Sequence, residues 1–565
     1  MRSSIEYMKQ RISYIENKNS RNDHVETTPP YHHTFQQQPG IPEQSGASAS
    51  SINVAPSGTG SNVAVNEVEY LSLAAMSGGG ANDQTHWQSS TLKQLMESVI
   101  SIQGINPASV TMDVIPAMQN MLSLSDLQSG ITAVTRKDCH FLIRNFARSF
   151  PCISEQESLT AFDTAVRSEE SATDSESALA PTPGVIAIAS SALALGGIIS
   201  PFHSNLQLQL LALVDKAKRA LPVILTTMVD ATAIQCLTLQ SMLSLYFPSA
   251  GSAWHLLGLA LTRAISAGLH QASSHTSAGE DSYTTNIFWT LYLLDRTLAH
   301  TMGRPFGLMD DDIALKFPEV PAHHSLDDTA TVSKAIFTLK LHHALLLSRW
   351  RQSPVFDLAT LISSYEYWRD SYHEMCEHFI ELEIAERQDE DVHALSGDVS
   401  RKDEAQLSCR ALVQLLARAT EKPPADHDSL VRLKQYIVTE APRLIDTVHE
   451  GIDSGNAACT FLDGHDAFAA AIVYVFSTYE TRQPSSFRLD VSQMRTVGAC
   501  IAIIQYTARQ FKPMRSLINV IWALLHTLEA KATLGDGVEL FKEMSGCEVL
   551  IPKHIGMLLE MIISM

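Results

Sequence analysis

The chain has 565 residues, 45% of them hydrophobic, and a formal charge of −20. That length can bury a large core and sets a prior of about two to four domains. The acid excess excludes a chain that grips a phosphate backbone over a broad surface, because such binding needs Lys and Arg to displace counterions.

The eight cysteines, Cys139, Cys152, Cys236, Cys376, Cys409, Cys459, Cys500 and Cys547, form no Cys-x-x-Cys pair. No sequence-local zinc knuckle is encoded, and cysteines scattered this way read as small buried hydrophobes of a reducing compartment. The N-terminus has no apolar secretory core. The most apolar run, residues 185–199, holds two Ser and two Gly and precedes Pro201. It is too short to cross a bilayer and reads as a buried helix, so no membrane partner is expected.

In residues 1–22, Ile5, Met8, Ile12 and Ile15 fall at the a and d spacing of two heptads. This predicts either a short coiled-coil dimerisation helix, and with it a homodimer, or a frayed amphipathic helix. Residues 23–90 are rich in Pro, Ser, Gln and Gly and read as a disordered linker, with His32 and His33 solvated. Residues 91–134 carry helical signals at Leu92, Leu95, Val99 and Ile102.

From residue 135 to residue 565 the pattern is helical throughout, and the expected fold class is all-α. Phe141, Leu142, Phe146 and Phe150 make an amphipathic helix stopped by Pro151. Residues 168–183 are an acidic, Ser-rich loop. Helices follow over the small-residue run VIAIASSALALGG and over LQLQLLALVDKAKRALPVI and TAIQCLTLQSMLSLYF. In the next helix Ser252 is the expected N-cap and Gly268 the C-cap. Trp254, Leu257, Leu261, Ala264 and Gly268 share a face, so Trp254 is assigned to the core. Gly258, Ala260, Ala264 and Ala267 would admit a close neighbour.

Residues 286–302 read as one helix, with Gly303 as C-cap and Pro305 forbidding continuation. Asn286, Thr290, Thr297, His300 and Thr301 form a polar stripe; Phe288, Leu291, Leu298, Ala299 and Met302 form the opposite, apolar face. Asp295 falls in the middle of the apolar face, where a lone carboxylate would cost several kcal/mol. The expected partner is Arg304, folding back from just beyond the helix end.

Further helices are expected over residues 335–350, 358–385, 405–420, 430–450, 467–479, 493–511 and 515–532, with a charged loop at 389–404. The apolar tail HIGMLLEMIISM is read as a helix docked on the core, the alternative being a sticky end for a partner.

No enzyme constellation holds. In HEMCEH, His373 and His378 are five apart, about 140° round a helix, and cannot share a metal as an i, i+4 pair does. Asp310, Asp311 and Asp312 lack the further carboxylate one turn on that a magnesium site needs. There is no Gly-x-Ser-x-Gly elbow and no P-loop.

Phe288, Trp289, Tyr292, Asp295, Arg296, Gly303, Arg304, Pro305, Asp310 to Asp312 and Pro318 stand in the order of a known signature. The stretch resembles the fungal-specific transcription factor domain, the middle homology region of fungal zinc-cluster regulators. The resemblance is good over residues 135–320, including the helix with Trp254, and thin afterwards. It implies a large helical regulatory domain, a nuclear location, control of RNA polymerase II genes and partners among the transcription machinery. It further implies a six-cysteine zinc cluster that would stand before Met1, so that zinc and DNA contact come only through that cluster or a partner. No catalytic, metal or DNA-binding residue and no cofactor is assigned within these residues. A helical co-regulator or ligand-binding scaffold without DNA contact is the other reading.

Overall fold

The computed structural model describes residues 136–564, with breaks that include 151–154, 172–181, 272–279, 387–394 and 481–490. The expected coiled-coil helix with Ile5, Met8, Ile12 and Ile15, the linker over 23–90 and the lead-in over 91–134 lie outside the described residues. The described residues belong to one compact unit, Asn62–Met565. They form fifteen α-helices and no strand.

The first seven helices are α1 (Arg136–Ser149), α2 (Glu155–Ser171), α3 (Pro183–Ile198), α4 (Gln207–Thr227), α5 (Asp230–Tyr246), α6 (Ala253–Ser266) and α7 (Glu280–Thr301). They pack round α3, which touches α1, α2, α4 and α5. Helix α3 is apolar on all sides, as a helix in the middle of a bundle must be. Thr182 caps it by accepting the Val185 N–H at 3.4 Å, and Pro183 occupies the first turn, where its missing N–H is no loss. Its small residues permit contact at backbone distance: a Cβ on Gly196 would sit 2.0 Å from the Leu142 carbonyl oxygen of α1.

The other eight are α8 (Thr329–Gln352), α9 (Leu358–Glu386), α10 (Leu395–Glu421), α11 (His427–Asp453), α12 (Phe461–Glu480), α13 (Val491–Thr507), α14 (Ser516–Lys531) and α15 (Lys553–Ser564). They build a second apolar core around Leu412, Leu416, Ile437, Phe468 and Ile504. Helix α7 joins the two cores, touching α5 and α6 on one side and α8 and α12 on the other.

That position decides where the polar stripe of α7 goes. Thr290, His300 and Thr301, read as a polar stripe, are buried. A helix between two cores has no solvent face, and its polar stripe meets polar groups of the second core instead. Helix α10 also starts at Leu395, inside the expected charged loop. Its charges are paired: Lys402 Nζ lies 2.8 Å from Asp463, Asp403 holds Lys340, and Glu404 receives Arg443 at 3.0 Å. Paired charges can be buried in a helix where isolated ones would be left in water.

Gly258 and Ala267 of α6 are exposed and admit no neighbour, whereas Ala260 and Ala264 are buried. The tail is docked, with Ile555, Leu558 and Leu559 of α15 buried in the second core. No helix among the described residues is long and apolar enough to cross a membrane.

Candidate functional site: the clamp around Arg296

Helix α7 ends as the sequence demands. Gly303 has φ +64°, the Arg304 N–H donates to the Ala299 carbonyl at 2.8 Å, and the Gly303 N–H donates to that of His300 at 3.2 Å. This is a left-handed C-cap, which a residue with a Cβ adopts only under strain. A Cβ here would also come within 3.1 Å of the backbone of Pro552 and Lys553, so Gly303 lets the start of α15 rest on the turn.

Arg304 does not bind Asp295. Its guanidinium lies over the Trp254 ring, 5.1 Å from the centroid, and Trp254 is half-buried under it, not sealed in the core. Asp295 is held instead by Arg296, whose Nη1 donates to Oδ2 at 2.5 Å, and by the Gly307 N–H, which donates to Oδ1 at 2.9 Å. The long guanidinium stem lets residue 296 turn back over its neighbour, a reach that wheel position alone does not convey. Pro305 is exposed and serves to stop the helix.

Arg296 is the centre of the arrangement. Its Nη2 donates to the Leu308 carbonyl at 2.7 Å and to Asp310 Oδ1 at 2.6 Å. Its plane is stacked between two rings, 4.3 Å from the Tyr292 centroid and 4.2 Å from that of Phe306. Arg351 of α8 lies over the same Phe306, 4.8 Å from its centroid. Asp310 also accepts the Tyr292 hydroxyl at 2.9 Å and that of Ser348 at 2.5 Å, so helix α8 is tied in as well. Phe288 and Trp289 are buried beside this knot, with Leu308, Phe337 and Leu341.

The electrostatics fit a closed structural unit. Burial pushes the Asp295 carboxyl up, against the pull of Arg296 and the Gly307 N–H. Burial also pushes Asp310 up, but the Ser348 hydroxyl, Arg296 and Tyr292 outweigh it and hold this carboxyl below its usual range. Both oxygens of each carboxylate accept from donors of the protein itself. Asp311 and Asp312 point to solvent. His373 faces Glu404 while His378 contacts the Leu326 carbonyl at 2.9 Å, so the two histidines of HEMCEH are directed to different places. Among the described residues no three His, Cys, Asp or Glu side chains gather as a metal set would.

One polar cluster escaped the sequence. A cavity of about 20 Å³ lies among His300 and Thr301 of α7, Arg410 of α10, His465 and Asp466 of α12 and His554 of α15. That is room for about one water. Arg410 and Asp466 pair at 2.6 Å, and the rings of His300 and His554 stack with centroids 5.5 Å apart. Burial pushes the pKa of His465 and of His554 down to about 4 and that of His300 further below its ordinary value. These groups come from four helices far apart in sequence; the only local signal was the polar stripe on α7.

Residues 140–336 match the fungal specific transcription factor domain. The clamp residues Tyr292 to Asp310 and the Gly-Arg-Pro turn lie inside this domain, while Ser348 and Arg351 of α8 lie just beyond it. Three curated fungal proteins show the similarity. A negative regulator of pleiotropic drug resistance from Candida glabrata is 28% identical over 116 residues, which are 20% of this chain and 11% of that protein. The pyrimidine pathway regulatory protein 1 of Saccharomyces cerevisiae is 31% identical over 90 residues, 15% of this chain and 9% of its own. An uncharacterized transcriptional regulatory protein of Schizosaccharomyces pombe is 22% identical over 280 residues, 46% of this chain and 34% of its own. The chain thus spans about a tenth of the length of the first two relatives and a third of the last. No solved structure matches.

Proposed function

We propose that this chain is the helical regulatory body of a fungal transcription regulator of the zinc-cluster class, acting in the nucleus on genes read by RNA polymerase II. The observation that carries the reading is the family match over residues 140–336, within which Tyr292, Asp295, Arg296 and Asp310 are tied into one clamp. In this reading the domain positions and signals. The names of two relatives, regulators of drug resistance and of a pyrimidine pathway, favour control of metabolic or defensive genes. In this reading DNA contact comes through a zinc cluster or a DNA-reading partner, and Ile5, Met8, Ile12 and Ile15 pair two chains. The net charge of −20 agrees with a body that leaves the phosphate backbone to another module.

The test is a reporter assay in a fungal host, with the full chain fused to a heterologous DNA-binding domain. The expected result is a several-fold change in reporter output, up or down, against the DNA-binding domain alone. An unchanged output from a fusion present at normal level in the nucleus would count against the reading.

A further inference from the structure

Helices α8 and α9 run antiparallel across a short connection and are pinned where the Trp368 indole N–H donates to the Leu339 carbonyl at 2.9 Å. Further along, a groove of about 830 Å³ opens between them. Small-molecule sites occupy roughly 300–1,000 Å³.

The α8 wall is His342, Leu345, Leu346 and Arg349, one stripe at helical spacing. The α9 wall combines the small residues Ala359, Ser363, Ser364 and Ser371 with Tyr367 and Trp368. The serine hydroxyls are already committed: Ser363 donates to the Ala359 carbonyl at 3.1 Å, Ser364 to Thr360 at 2.9 Å and Ser371 to Tyr367 at 2.8 Å. The groove is therefore less polar than its composition suggests.

Its charge is one-sided. Among the described residues no Asp or Glu lines it, although the chain carries 61 of them. Arg349 is exposed and makes no side-chain ion pair or hydrogen bond among the described residues. Burial pushes the pKa of His342 down, and among the described residues Arg349 is the one Lys or Arg of the lining. The groove is also polarised along its length. Arg349 stands ten residues along α8 from Leu339, about 15 Å, and Trp368 lies at the Leu339 end.

We propose that this groove binds a free amphipathic organic anion. An apolar chain or ring system would lie on Leu345, Leu346 and Trp368, and a carboxylate or similar group would pair with Arg349. The inference rests on the regulatory reading only for the ligand's role as effector; binding itself is independent of it.

The test is titration calorimetry on the full chain with decanoate, with decanol as the uncharged counterpart, and with phosphatidylglycerol vesicles to separate a free ligand from a lipid surface. Decanoate should bind saturably at one per chain, about tenfold tighter than decanol, the worth of one charge-assisted contact. Arg349→Ala should remove that preference while leaving decanol binding unchanged, and, the side chain being exposed, should leave the melt unchanged. Ser364→Trp should fill the groove and abolish binding of both. No saturable decanoate binding, equal affinity for decanoate and decanol in the wild-type chain, an Arg349→Ala chain that still prefers the anion, or binding to vesicles alone would each overturn the proposal. Because calorimetry reads the protein directly, a silent reporter and an empty groove are distinguishable failures.

Discussion

Asp295 and Arg296, adjacent in sequence, form an ion pair with both side chains only 2% exposed. Neighbours on a helix point about 100° apart, so such a pair forms only when one partner is long enough to bend back and a surrounding cage holds it there. The cage is the turn after α7: Gly307 and Leu308 supply backbone groups, Phe306 and Tyr292 supply ring faces, and Asp310 supplies a second carboxylate.

Arg296→Lys should be far from conservative. A lysine lacks the planar fork that serves Asp295, Leu308 and Asp310 together, and it stacks poorly between two rings. Removing one partner of a buried pair costs about 3–5 kcal/mol, and Lys should recover only part of it. Urea denaturation of the variant should show a midpoint well below wild type; an unchanged midpoint would mean the clamp bears no stability.

The three acids of Asp310 to Asp312 should separate cleanly. Asp310→Asn leaves Arg296 short of charge and weakens the bonds to Ser348 and Tyr292, a loss of about 1–3 kcal/mol. Asp311→Asn and Asp312→Asn should leave the melting temperature where it is, since both side chains face water. Equal effects at all three positions would point to a shared ligand rather than to a single anchor.

Gly303→Ala should strain the C-cap by about 1–2 kcal/mol, the cost of a left-handed residue with a Cβ. It should also push on the start of α15, because Pro552 and Lys553 lie 3.1 Å from the new methyl. Limited proteolysis should then cut near residues 550–553 faster than in wild type. Unaltered cleavage would show that α15 does not depend on the turn.

Much of this domain was legible in advance. Each helix expected from residue 135 onward exists, because long apolar periodicities and Pro or Gly stops are local signals. Gly303 and Gly268 were legible as C-caps for the same reason, and both take positive φ. The burial of Asp295 also followed from the wheel. Its partner did not: the choice between Arg296 and Arg304 depends on the path of residues 305–310 and on the Trp254 ring that captures Arg304. The start of α10 and the histidine cluster were hidden for a related reason. His300 and His465 are buried, and Lys402 and Asp403 half-buried, because partners distant in sequence meet them.

The buried imidazoles make stability depend on pH. His343, pushed down by burial to about 3, and His465 and His554, to about 4, are neutral in the folded chain, whereas an unfolded histidine titrates near 6.5. Below 6.5 the unfolded state binds more protons, so this stability is complete above that pH and is lost as pH falls toward about 4. Melting temperature measured across this window should decline steadily. In His465→Gln the decline should be shallower; a parallel curve would exclude His465 as a contributor.

The central claim is that Tyr292, Asp295, Arg296 and Asp310 form one interlocked support. A double-mutant cycle between Arg296 and Asp310 tests it most directly, using Arg296→Ala, Asp310→Asn and the double variant in equilibrium unfolding. Contacting residues of one network show coupling of about 0.5–3 kcal/mol, and the 2.6 Å contact between these two predicts a value of at least about 1 kcal/mol. Strictly additive losses would contradict the claim.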